Sequence, residues 1–183
     1  MPLPPSPVKR TPVHHRKVVF EGFRRDDGLW DIEGHMVDTK SDDFPLCRGI
    51  LRKGEAIHDM SVRVTIDSHM NVVNVLACSD ASPYMGVCDA ITQDYRKIIG
   101  LNLLKNFVRS VRELFGEARG CSHLNELLMS IPTAAVQTFA NPDTKNLTER
   151  KPFYIDRCHA LSSKSEVVRQ HYPKWYFRPD SGA

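Results

Sequence analysis

The segment Gly120-Cys121-Ser122-His123-Leu124-Asn125-Glu126 carries a thiol and an imidazole two residues apart. Ser122 is a good N-cap residue type, Glu126 puts a carboxylate in the first turn, and Leu124, Leu127, Leu128 and Ile131 keep helical spacing. Cys121 and His123 therefore fall at the start of a helix. The N–H groups and dipole there favour negative charge, which draws a thiol from about 8.5 toward roughly 3.5–7.5. A thiolate in such a place is a nucleophile, with His123 as its base, or a metal ligand. The plain alternative is a half-buried cysteine beside a surface histidine.

Four other groups have the right chemistry. Cys88 lies in an irregular loop leaving a core strand, with Asp80, Tyr84 and Asp89 nearby in sequence. His58-Asp59 opens the best-patterned strand, and Asp59 is of the right type to orient an imidazole or act as a base. His35 shares a strand face with Glu33 and Asp31, a setting for acid–base work or simply a solvated face. Cys158-His159 follows Asp156-Arg157. Adjacent side chains point apart, so either residue would complete a site made elsewhere. Cys47 and Cys78 read as structural, and His14, His15, His69 and His171 as surface residues. The expected catalytic set is Cys121, His123, His58, Asp59 and His35, and the expected metal set is Cys88, Cys121, His123 and Asp59. Such mixed ligands suit zinc or non-haem iron.

Residues 1–16 are Pro-rich and basic and read as a mobile arm. Strands are expected at 17–23 and 28–40, the second placing Trp30, Ile32 and Met36 on one face, with a hairpin turn at Arg25-Asp26-Asp27-Gly28. Residues 41–55 look like loop. Residues 57–67 alternate cleanly, with Met60, Val62, Val64 and Ile66 inward, and 72–77 return as the partner strand. Helices are expected at 92–98, at 103–115 and from 124 to about 131, where Pro132 kinks or ends the last one. Residues 134–139 are candidates to continue it. The tail 141–183, with Phe153, Tyr154, Tyr172, Trp175, Tyr176 and Phe177, is aromatic enough to pack onto the domain. Strands first and helices after give an α+β domain over 17–140, an antiparallel sheet with helices packed on one face.

The 183 residues are 41% hydrophobic and 26% charged, enough for one domain with a core. Lys+Arg total 25 against Asp+Glu 22, too even a balance to point to nucleic acid. No apolar run has the length of a membrane span and the N-terminus has no signal core, so a cytoplasmic protein without a membrane partner is expected. The five cysteines form no CxxC pair, which argues against a closed zinc ribbon. No phosphate loop, nucleophile elbow or HExxH is present.

Several stretches together, Arg24-Arg25-Asp26-Asp27-Gly28-Leu29-Trp30-Asp31-Ile32-Glu33-Gly34-His35, Ile57-His58-Asp59-Met60, Asp80-Ala81-Ser82-Pro83-Tyr84, Gly120-Cys121-Ser122-His123-Leu124 and Asp156-Arg157-Cys158-His159-Ala160-Leu161, resemble an uncharacterised bacterial family, domain of unknown function 2889. That resemblance implies no reaction. A second one, over residues 55–138, is to NifU/SufU-type iron–sulfur scaffold proteins, with Asp59, Cys88 and Cys121-Ser122 at or near the pattern's positions. The pattern's first cysteine is missing, and His58 stands beside that place. This likeness implies a Cys/His/Asp metal site or the same fold with another job. The expectation is a small-molecule enzyme, metal- or thiolate-based, such as a metal-dependent lyase or hydrolase. A non-catalytic metal or iron–sulfur carrier and a binding module with incidental cysteines are the alternatives.

Overall fold

The computed structural model describes residues 3–139, 151–152 and 154–177. The chain divides into two units, Met1–Thr138 and Phe139–Ala183. The first is an antiparallel four-stranded sheet with helices on one face, the α+β architecture that the order of strands and helices implies.

The sheet runs in the order β1 (His14–Arg24), β2 (Trp30–Lys40), β5 (Ala56–Ile66), β6 (Val72–Ala81). Alternation sets its faces. On β2, Ile32, Gly34, Met36 and Asp38 are buried, and on β5, Met60, Val62, Val64 and Ile66 are buried, while the residues that alternate with them face the other side. The β1–β2 turn is closed by Arg25 N–H to the Leu29 carbonyl at 3.0 Å, with Gly28 at φ 82°. In the β5–β6 turn the Asp67 carboxylate accepts from the His69 and Asn71 backbone N–H groups.

Strand β1 begins earlier than expected. His14, His15 and Arg16 pair with Lys40, Thr39 and Asp38, so the last three residues of the anticipated arm belong to the sheet. Their ladder bonds and the Arg16–Asp38 ion pair hold them there. The stretch 41–55 is not all loop: β3 (Phe44–Leu46) and β4 (Gly49–Leu51) form a small ribbon whose tight turn uses Gly49 at φ 128°.

The segment Ala90–Ile98 is a 3-10 helix that buries Tyr95 and Ile98, three residues apart as that helix requires. The next helix, α1 (Phe107–Phe115), starts four residues later than its apolar stripe suggests, because Asn106 is left-handed at φ 57°. It buries Phe107, Val111 and Phe115 at i, i+4 and i+8. Helix α2 (Ser122–Phe139) continues through Pro132, with Leu128, Ile131 and Ala135 buried on either side of the break in its hydrogen bonding. It lies close over the sheet, and a Cβ on Gly22 of β1 would stand 1.9 Å from the Thr138 hydroxyl.

The second unit contains α3 (Glu166–His171), capped by the Ser165 hydroxyl, which accepts from the Val168 N–H at 3.2 Å. The Tyr154 and Tyr172 rings meet edge-on at 5.9 Å. The Asp156 carboxyl is held down at about 2, first by the Lys151 ammonium and then by Ser163. Cys158 and His159 are exposed. Pro142, Phe153 and Pro179 of the anticipated tail lie outside the described residues.

Candidate metal centre

The site is built where β1, β2 and β5 meet the start of α2. Pairing places Arg16 opposite Asp38, and Asp38 opposite His58, on the helix-covered face of the sheet. Asp38 is only 1% exposed. A carboxylate buried this deeply must be paired, and the partners are present. The Arg16 guanidinium donates from Nε to Oδ1 and from Nη2 to Oδ2, both at 2.8 Å. The His58 Nδ1–H donates to Oδ2 at 3.1 Å, and His14 Nε2 lies 3.2 Å from Oδ1. Because the carboxylate can only accept, the His58 proton sits on Nδ1. Arg16 also reaches Glu126 of α2, Nη1 to Oε2 at 2.5 Å, so one cation ties the edge strand to the helix.

Helix α2 supplies the other imidazole. Its first residue is Ser122, and Cys121 occupies the cap position expected for Ser122, its carbonyl accepting the Asn125 N–H at 2.9 Å. Tyr95 fixes this turn. Its hydroxyl, fully buried, accepts the Cys121 N–H at 2.9 Å and lies 2.9 Å from Asn125 Oδ1. Burial pushes the phenol well above its ordinary range. A Tyr95→Phe substitution strands the Cys121 N–H in the interior and is expected to cost about 1–3 kcal/mol. Urea denaturation measures that loss, and faster alkylation of Cys121 reports the loosened turn.

From this start His123 projects over the sheet and stacks on His58, ring centroids 3.8 Å apart and tilted by 35°. His123 Nε2 stands 3.8 Å from Asp38 Oδ2, and its Nδ1 stands 3.8 Å from Cys121 Sγ. Asp38, His58 and His123 each present a ligand atom, all within 4.8 Å of one another. Two imidazoles and one carboxylate from three separate elements are a donor set for zinc or non-haem iron. Arg16 and Glu126 act one layer out, holding the carboxylate in place.

Electrostatics keep these imidazoles ready to bind. Burial lowers the His58 pKa below 6.5, opposed by its bond to Asp38 and helped by the Arg16 charge. Burial lowers His123 as well, and the neighbouring His58 and Arg16 add to it. For Asp38, burial alone would raise the carboxyl, but the Arg16 hydrogen bonds and charge outweigh it and hold it below 3.8. Neutral imidazoles beside an ionised carboxylate are the protonation states a metal needs.

The pH dependence follows. Below about 6.5 the unfolded chain takes up protons on these histidines before the folded protein does. Stability of the metal-free protein is therefore full above that pH. It falls as the pH drops from there through the depressed folded values. Urea midpoints between pH 7.5 and 5 should show this slope, and a His58→Gln/His123→Gln double variant should flatten it.

The outer side of the site is a cavity of about 390 Å³, lined among others by His58, His123, Cys121 and Cys88. Cys88 and Cys121 thus share one cavity, although neither belongs to the three-residue cluster. Asp59 and His35 stand elsewhere. The expectation that Asp59 joins Cys121 and His123 is corrected by strand geometry: it follows His58 directly, so it points to the opposite face, where it pairs with His35 Nε2 at 2.7 Å. Asp38 went unnoticed in the sequence although its parity on β2, two residues beyond Met36, marks it as an acid on the buried face. Arg16 was hidden by its assignment to the arm.

Among the described residues, no helix is long and apolar enough to cross a membrane. The ligand pattern of an iron–sulfur scaffold is not assembled, since Asp59 stands apart from Cys88 and Cys121. No curated protein and no solved structure matches this chain. A family model does match, over residues 14–137, a span that runs from the first residue of β1 to near the end of α2 and includes all three residues of the cluster. The chain belongs to the family described as protein of unknown function (DUF2889).

Proposed function

We propose that this domain is a metal-dependent enzyme acting on a small molecule, a lyase or hydrolase, with zinc or iron held by Asp38, His58 and His123. The observation that carries this reading is the convergence of those three ligand atoms within 4.8 Å, two of them on histidines that line a cavity. A metal held by these residues would act as a Lewis acid or would lower the pKa of a water to about 7. The chain's own groups do the rest. Arg16 keeps the Asp38 carboxylate ionised and oriented, and the α2 start places His123. A reducing cytoplasm is the setting this reading assumes, and it keeps Cys88 and Cys121 as thiols beside the metal.

A second reading has its own support. Cys121 Sγ lies 3.8 Å from His123 Nδ1, and Asp38 lies 3.8 Å from the far nitrogen of the same ring. That order, thiol, imidazole, carboxylate, is the arrangement of a thiol nucleophile with its base and orienting acid. The full pairing of Asp38 with Arg16 also favours it, because it already neutralises the carboxylate without a metal.

Metal analysis of protein purified under reducing, anaerobic conditions separates the two. The metal reading expects near-stoichiometric zinc or iron that is lost in His58→Gln and in His123→Gln and kept in Cys121→Ser. Metal-free protein whose Cys121 is alkylated selectively, at a rate lowered by His123→Gln, leaves the thiol reading. Iron with matching sulfide would instead mark a cluster carrier. Absence of both metal and reactive thiol would leave a binding module.

A further inference from the structure

We propose that the cavity beside Cys121 takes an uncharged, largely apolar small molecule, which packs against the exposed side chains of Tyr84 and Val87. The proposal deepens the reading above for the same site and rests on it for the reacting groups at the cavity.

Three observations carry it. The first is the wall chemistry. Met60, Pro83, Tyr84, Val87, Ile91 and Ala118 supply carbon surface, and the polar lining is imidazole, thiol and hydroxyl. Among the described residues, no Lys, Arg, Asp or Glu lines the cavity. Arg16 and Asp38 are engaged with each other, and Glu117 and Arg119, next in sequence to the lining residues Ala118 and Gly120, are paired with each other. In the metal-free protein a charged ligand entering here gives up hydration and finds no carboxylate, ammonium or guanidinium among the lining side chains to replace it. An uncharged ligand bears no such cost, and the imidazole, thiol and hydroxyl groups of the lining suit a hydroxyl or carbonyl at its polar end.

The second is exposure. Tyr84 is 62% exposed and Val87 72%, although both line the cavity, and Met85 between them is 53% exposed. Three large apolar side chains in four residues lie open at the mouth of a cavity, while the neighbouring Ser82 is fully buried and anchors the loop. Clustered apolar surface at the rim of a concave site is what an apolar ligand covers.

The third is size. A volume of about 390 Å³ lies near the small end of ligand pockets and accommodates a fused bicyclic ring.

Three probes with one body and different charge test the proposal: 1-naphthol, 1-naphthoate and 1-naphthylmethylammonium, each titrated into metal-free full-length protein at pH 7.5 and followed by amide NMR. The expected result is saturable shifts at Val87, Cys88, Ile91 and Cys121 with 1-naphthol, and binding at least tenfold weaker for both ions. Val87→Lys and, separately, Tyr84→Asp, both at exposed positions that leave the fold intact, should weaken naphthol at least fivefold. Val87→Lys should also turn the preference toward naphthoate. Equal or tighter binding of either ion, no cavity shifts with millimolar naphthol, or unchanged affinity in both variants overturns the proposal. Because these titrations use no metal, they stand apart from the metal reading: protein that binds zinc but not naphthol refutes the cavity proposal alone, and protein that binds naphthol but not zinc refutes the metal alone.

Discussion

Asp38→Ala should destabilise the protein by about 3 kcal/mol and abolish the metal binding proposed for this site. Removing one partner of a buried ion pair costs about 3–5 kcal/mol, because the charge left behind has lost its counter-ion. Here the stranded group is Arg16. Its side chain is 31% exposed and keeps Glu126, which places the cost at the lower end of that range. The His58 Nδ1–H loses its acceptor too, and His14 loses its neighbour. Equilibrium urea denaturation at pH 7.5 measures the loss. Asp38→Asn, which preserves shape and one acceptor oxygen, should cost less while still removing the charge that the metal needs. A loss below 1 kcal/mol in Asp38→Ala would show that this carboxylate does not organise the site.

Zinc added at a free concentration 100 times its dissociation constant should stabilise the native protein by about 2.7 kcal/mol, the amount mass action gives for a ligand that binds only the folded state. The gain depends on which residues bind. With Asp38, His58 and His123 as ligands, His58→Gln and His123→Gln should each remove it, whereas Cys121→Ser should keep most of it. Loss in Cys121→Ser with retention in His58→Gln would restore the cysteine-centred ligand set that sequence spacing suggests. Thermal unfolding with and without zinc, read across the four proteins, decides between them.

Much of the fold was legible because strand alternation is a local property. The pattern Met60, Val62, Val64, Ile66 fixed β5 and its buried face, and the turn residues ending at Gly28 and those at 68–71 fixed two hairpins. Boundaries were less legible where long-range contacts decide them. His14–Arg16 look like arm until Asp38 is seen across the ladder, and Pro132 reads equally as a kink or a helix end until Leu128, Ile131 and Ala135 are seen buried around it.

The site shows the same division. Residue type and spacing singled out His58, His123 and Cys121, because a helix start and a strand opening are visible locally. They also suggested Asp59 as the acid, since it is adjacent in sequence. Adjacency is misleading on a strand, where neighbours face opposite ways, and so Asp59 meets His35 on the far side.

By itself, then, the sequence determined the α+β order of elements, the two faces of β2 and β5 and the placing of Cys121 and His123 at a helix start, all of which follow from short-range periodicity. Only the tertiary structure decided which acid serves the site. Cross-strand register puts Asp38 beside His58, and the packing of α2 on that face lowers His123 onto both; neither the register nor the packing is written in any single segment, because each depends on which segments pair.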